Sequence, residues 1–344
     1  TEGVVAWEKW TPLVIDTGDM VARLMGAPRG SVMMHQNVSS FQGIIASALD
    51  FRSKRNKIVF EDMNFPSVSY TWKAYEDLGA RVHLVKSPDG IRVDTQAMVD
   101  AIDEQTLLVP MSHVLFRSSY IQDVKPIIEK AHKVGAMVLL DVYQSIGAVP
   151  FNVTELGVDM VVGGSVKWLC GGPGAAYLYV RPDLISKLKP RATGWISHKR
   201  PFAFEMPEQD YADSIWRFAG GSPAVPALYS AQSGYEILNE VGIDRVRKNS
   251  LELTSHLLDK ADALANRLEQ FRFRVRSPRK ESERGGTVCL DFEGSEAISK
   301  KLIANNIVID WRPNCGIRVS PHFYNTKQEC DLIMQEIEKE LLRG

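Results

Sequence analysis

The chain has 344 residues, of which 44% are apolar and 24% charged, and its net charge is −1. That length suggests about two domains with cores large enough to need no disulfides. The near-neutral balance argues against a nucleic-acid or polybasic membrane partner. No apolar run approaches the roughly 20 residues that span a bilayer. The opening TEGVVAWEKW has no basic stretch followed by an apolar one, so no signal peptide is expected, and it begins at Thr1 rather than at a methionine, as a clipped chain would. Cys170, Cys289, Cys315 and Cys330 lack metal-ligand spacing, so no metal site is expected, and a reduced, cytoplasmic setting follows.

Taken in chain order, short apolar runs alternate with helical stretches. The runs are KIVFED (57–62), RVHLVK (81–86), LLVPMSHV (107–114), MVLLDVY (137–143), MVVGGS (160–165) and AAYLYV (175–180). Several are apolar at nearly every position, as in strands buried on both faces of a largely parallel sheet. A helix is expected from an N-cap at Asp123 through VKPIIEKAHKV to a stop at Gly135. Repeated strand, helix, strand order predicts an α/β fold with helices on both faces of the sheet. The tail differs. FRFRVRSP, TVCLDFE, a helix EAISKKLIANN, VIDWRP, GIRVSP and a last helix KQECDLIMQEIEKELL predict a smaller α+β unit. The boundary is expected in the helical stretch 224–265, giving a large unit over 1–240 and a small one over 241–344.

Two residues carry the first chemical signal. Asp141 ends an apolar strand, where open α/β sheets bind ligands; it reads either as a helix cap or as a charge aimed at a bound cation. Lys167, in GGSVKWLCGGPG, reads either as a surface lysine in a glycine-rich loop or as a desolvated, nucleophilic amine suited to a Schiff base. Both follow buried strands. Pyridoxal 5′-phosphate (PLP) needs this pair, an amine for its C4′ and a carboxylate that keeps its pyridine nitrogen protonated. The GGPGAA stretch precedes a strand rather than a helix, and no GxxxxGK occurs, so a nucleotide-binding loop is not expected.

LLDVYQSIGAVPF followed by DMVVGGSVKWLCGGPGAAYLYV resembles the core of the fold-type-I PLP enzymes of the class V aminotransferase group. Within it the chain is most similar to the kynureninases, through FPS (65–67), SHVLFRSSYIQD (112–123), GWISH (194–198), RFAGGSPA (217–224) and GIRVSPHFYN (316–325). The resemblance implies that Lys167 forms the Schiff base and moves protons at Cα and C4′, while Asp141 pairs the pyridinium. Phe65 would lie against the ring, and Ser112 and Gln144 would join the cofactor set. Val38 and Ser39 would offer a backbone N–H and a hydroxyl to the phosphate at a helix N-terminus; N-capping is the other reading of Ser39 and Ser40. Ser222 would approach the cofactor across a homodimer interface. Arg318 would clamp the substrate carboxylate, and Trp195 and His198 would line the substrate pocket, with Trp195 also near the phosphate. His113 reads equally as structural or catalytic. The resemblance also implies a further segment before Thr1.

Two positions depart from the kynureninase pattern. Gln144 stands where a histidine is usual, and Val166 where a tyrosine precedes the lysine. Three readings follow: hydrolysis of a kynurenine-type substrate to anthranilate and alanine; another class V reaction, an aminotransferase or a cysteine desulfurase or lyase; or a non-catalytic relative. A desulfurase needs a mobile thiol, and Cys315 is the candidate, since Cys170 follows Lys167 too closely.

Overall fold

The computed structural model describes residues 3–206 and 208–343. Its centre is a seven-stranded sheet made of β1 (Val32–His35), β2 (Lys57–Glu61), β3 (Arg81–Val85), β4 (Thr106–Ser112), β5 (Met137–Asp141), β6 (Met160–Gly164) and β7 (Ala176–Val180). The spatial order is β1-β7-β6-β5-β4-β2-β3. All neighbours are parallel except β7, which runs against both β6 and β1. The six apolar runs read from the sequence are β2 to β7. β5, β6 and β7 are buried almost throughout, as a sheet covered by helices requires.

The core around this sheet includes Phe41, Ile45, Phe60, Trp72, Tyr177 and Tyr235, all essentially inaccessible. Each large apolar side chain of this kind contributes about 1.5–3 kcal/mol when fully buried. The long helical stretch is two helices, Val225–Val241 and Ile243–Arg267, broken at Gly242, whose φ of 83° suits glycine. The apolar core of the large sheet ends at Val246, and a second core begins at Leu253.

That second core lies against a four-stranded antiparallel sheet, ordered β10-β11-β9-β8, from β8 (Arg274–Val275), β9 (Val288–Asp291), β10 (Asp310–Arg312) and β11 (Gly316–Val319). The helices Ser295–Ala304 and Lys327–Arg343 complete it, as the tail pattern predicted.

One sequence expectation needs correction. The helix expected from an Asp123 cap spans Lys125–Val134, and Val124 sits at its N-cap with no side-chain bond. Pro126 in its first turn sets the start, because proline lacks the N–H that a cap would satisfy. Its end is as expected, at Gly135 with φ 77°.

Candidate active site

Parallel order brings the carboxyl ends of β2, β4, β5 and β6 to one edge, and a cavity of about 340 Å³ opens there. Asp141 ends β5 and points into it. Its Oδ1 accepts the Tyr143 N–H at 2.8 Å. Burial pushes the Asp141 carboxyl up to about 6, against the pull of that bond and of the Lys167 charge.

Lys167 lies just beyond β6. Its Nζ stands 4.9 Å from the centre of the Tyr143 ring and 5.7 Å from that of Phe65. Desolvation, helped by the Arg318 charge, brings the amine down to about 8, while Asp141 and Asp310 oppose the shift. A substantial neutral fraction near pH 8 makes it a nucleophile. Asp141 and Lys167 feel each other's charge without forming an ion pair, and both face the same cavity.

The helix Val38–Ser47 points its N-terminus at the cavity. The cap is Asn37, whose Oδ1 accepts from Ser40 N at 2.8 Å and Ser40 Oγ at 3.1 Å. Capping is therefore not the task of Ser39, which lines the cavity with Val38. A helix N-terminus, even with one N–H taken by its cap, favours an anion such as phosphate.

Phe65, Ser112 and Gln144 line the same space. Gln144 Oε1 accepts from the Trp168 indole at 3.2 Å, and its buried Nε2 has no partner. Gln42 Oε1 is likewise buried and bare at the cavity. Orphaned polar atoms, a helix N-terminus, a carboxylate and a separate amine around one cavity fit PLP, which carries a phosphate, a ring nitrogen, a phenolic oxygen and an aldehyde.

Other expected residues are placed elsewhere. Arg318, on β11, is buried and donates to Asp310 Oδ2 at 2.6 Å, with its Nε unpartnered. It does not line the cavity, although its field reaches Lys167. Ser222 is exposed and lines a small separate crevice beside His35. Trp195 packs with Trp7, Phe202 and Phe204 in an aromatic cluster. His198 Nδ1 accepts from Arg200 N at 2.9 Å, away from Lys167. The chain by itself does not bring Ser222, Trp195 and His198 to the cavity.

His113 turns away from the cavity onto Phe151, and burial drives its imidazole down to about 4. Its observed contact is thus one of packing, with the neutral imidazole favoured. Cys315 is also buried, donating its thiol to the Arg117 carbonyl at 2.8 Å, and the neighbouring Cys289 thiol, with burial, raises it. Enclosed in this way, it lacks the exposure of a mobile nucleophile.

Sequence reasoning missed Tyr143, Gln42 and Phe116, all of which line the cavity. Tyr143 could have been suspected from its place two residues after Asp141. What its ring requires is a glycine underneath: a Cβ on Gly164 would stand 2.6 Å from the phenol oxygen. Gly164→Ala should displace the ring from Lys167, cost about 1–3 kcal/mol of stability and slow turnover by about 10²-fold through misplacement of the amine. Melting curves and kcat check this; unchanged kcat would deny Tyr143 any part in holding Lys167.

A model of the class-V aminotransferases matches residues 8–333. The "Uncharacterized aminotransferase YcbU" of Bacillus subtilis is 32% identical over 92% of this chain and 80% of its own. The kynureninase of Bacillus cereus is 30% identical over 98% of this chain and 81% of its own. Among solved structures, the apo cysteine desulfurase of Thermococcus onnurineus superposes with a TM-score of 0.86 at 20% identity, covering 98% of this chain and 86% of that one. The cystine C-S lyase C-DES gives 0.87 at 17%, covering 98% and 88%. These matches and the cavity define a PLP-dependent enzyme of fold type I. The chain belongs to the class-V aminotransferase family.

Proposed function

We propose that this enzyme hydrolyses the Cβ–Cγ bond of a kynurenine-type amino acid, giving an anthranilate and alanine. The observation that carries the reading is the cavity wall. The rings of Phe65, Phe116 and Tyr143 surround the space before Lys167, and none of the chain's thiols lines it. Aromatic walls suit an aryl-ketone side chain. The curated kynureninases similar to this chain over nearly its whole length support the same choice.

Lys167 would hold the cofactor through its amine and would take the Cα proton of the substrate. Asp141 would pair the pyridine nitrogen, Gln144 and Ser112 would flank the ring, and Val38 and Ser39 would hold the phosphate. When bound, PLP accepts the electron pair released at Cα. Water would then add to the side-chain carbonyl, the Cβ–Cγ bond would break with Cγ leaving as the carboxylic acid, Cβ would take up a proton to become a methyl, and Lys167 would return a proton to Cα as the electron pair comes back, giving alanine. Arg318 binds the substrate carboxylate through the side of the guanidinium that Asp310 leaves free. In the same reading the enzyme is a cytoplasmic homodimer with a large unit over 1–240 and a small one over 241–344; Thr1 and Gly344 lie outside the described residues. The partner copy brings Ser222, Trp195 and His198 toward the site. No helix among the described residues is long and apolar enough to cross a membrane.

A second reading, amino transfer, draws on the relative named as an aminotransferase and on Val166 and Gln144, which depart from the kynureninase pattern. Incubation of the PLP-loaded protein with L-kynurenine separates the two. Anthranilate fluorescence should rise with each turnover. A visible spectrum that shifts on adding amino acids without anthranilate, together with ping-pong kinetics with an oxo acid, would replace hydrolysis by transfer.

A further inference from the structure

Glu61 closes β2 at the carboxyl edge of the sheet and is completely buried. Its Oε1 accepts the Ser112 N–H at 3.0 Å and a longer bond from Gln122 Nε2 at 3.4 Å. Its Oε2 is inaccessible and has no partner. No cation reaches it among the described residues; Asp141 is the charged group that acts on it, and the neighbouring His113 is held neutral by burial. A carboxylate with one bare oxygen and no counter-charge is strongly disfavoured out of water, whereas the acid form carries no charge to desolvate. Burial drives the Glu61 carboxyl up to about 8; the Ser112 bond opposes this and the Asp141 charge adds to it.

This buried acid is tied to the cavity walls. Ser112 stands in register with Asp141 on the neighbouring strand. The Ser112 hydroxyl donates to Asn64 Oδ1 at 2.8 Å, and the same oxygen accepts the Phe65 N–H at 3.0 Å. Gln122 also donates to the Ser112 carbonyl at 2.5 Å.

We propose that Glu61 is a positioning residue held as the neutral acid, which fixes Ser112 and the end of β4 without placing a second negative charge beside Asp141. Its benefit to the cofactor rests on Asp141 pairing the pyridinium; its protonation does not. Because the folded value lies above that of an ordinary glutamate, the folded chain keeps a proton that the unfolded chain releases. The resulting stability is complete below the ordinary glutamate value and is lost as pH rises to about 8.

Infrared spectroscopy reads the protonation directly. At pH 7 the wild-type apoprotein should show the carbonyl stretch of a protonated carboxylic acid, fading as pH passes about 8. Glu61→Gln, a neutral isostere, should lack that band, and Asp141→Asn should keep it. The Tm advantage of Glu61→Gln over wild type should grow between pH 5 and 8, and its PLP affinity should stay within about twofold, because its hydrogen bonds survive. A wild-type apoprotein without the band at pH 7 overturns the proposal, and this needs no variant to fold. So does a loss of PLP affinity of about tenfold or more in a folded Glu61→Gln protein, the sign of a missing charge. If the band behaves as stated but Asp141→Asn binds PLP normally, the pyridinium pairing fails and the neutral acid stands.

Discussion

Lys167→Ala should remove the Schiff-base band from the spectrum of the PLP-loaded protein, leaving the shorter-wavelength absorbance of the bound aldehyde, and leave no adduct that borohydride can reduce onto the chain. The reason lies in the geometry around the amine. Lys167 Nζ has two aromatic rings near it and, among the described residues, no carboxylate in ion-pair range. Desolvation therefore outweighs the attraction of Asp141, and the amine loses its proton near pH 8 rather than near the ordinary lysine value. Capture of PLP by the apoprotein should accelerate as pH rises through about 8, since only the neutral amine attacks. In Lys167→Ala the phosphate and ring contacts remain, so PLP still binds, but without the covalent link. Turnover should fall by roughly 10²–10⁴-fold or more, because in the proposed function Lys167 serves both as the nucleophile and as the base at Cα. Mass spectrometry after borohydride treatment gives the decisive reading. A reduced PLP adduct on another lysine would remove Lys167 from the centre of the site.

Much of this arrangement was legible in the sequence, and the reasons are physical. β2 to β7 are continuous apolar runs because helices cover the sheet, and Asp141 and Lys167 stand out because each follows such a run. β1 was not singled out. It has four residues, lies at the sheet edge and pairs only with the reversed strand β7, so VMMH carries little signal of its own. The small sheet was readable from alternation, although β8 keeps only Arg274–Val275 of its run.

What local pattern could not give is proximity across strands. Glu61, followed by Asp62 at the end of KIVFED, reads as part of an unremarkable polar stop, and only the register of β2 against β4 sets it behind Ser112. Tyr143 reaches Lys167 because Gly164, on the next strand, has no side chain. Arg318 was expected to clamp a carboxylate; in the fold it is buried and paired with Asp310 through one nitrogen while its Nε stays bare, an arrangement that sequence spacing does not reveal. Cys315 shows the same limit. The sequence offered it as the thiol a desulfurase would need, and only the pairing of β11 with β9 encloses it beside Cys289.

The second large effect is expected at Asp141. Asp141→Asn keeps the shape of the side chain and an oxygen to accept the Tyr143 N–H, but removes the negative charge. A pyridine nitrogen facing a neutral amide loses its proton, and the ring then withdraws electrons from Cα far less strongly. Removing one member of a buried ion pair costs about 3–5 kcal/mol, so PLP affinity should drop by roughly 10²–10³-fold, with turnover falling further. The pH dependence separates charge from shape. In the wild-type apoprotein burial holds Asp141 near 6, so PLP affinity should decline as pH falls through that range and the carboxylate takes up a proton. A bound pyridinium shifts this limb downward, since a cation favours the ionised acid. Asp141→Asn should show weak affinity with no such limb. Should the variant bind PLP tightly and keep the wild-type limb, the titrating group would be another residue and Asp141 would serve only to hold the turn at Tyr143.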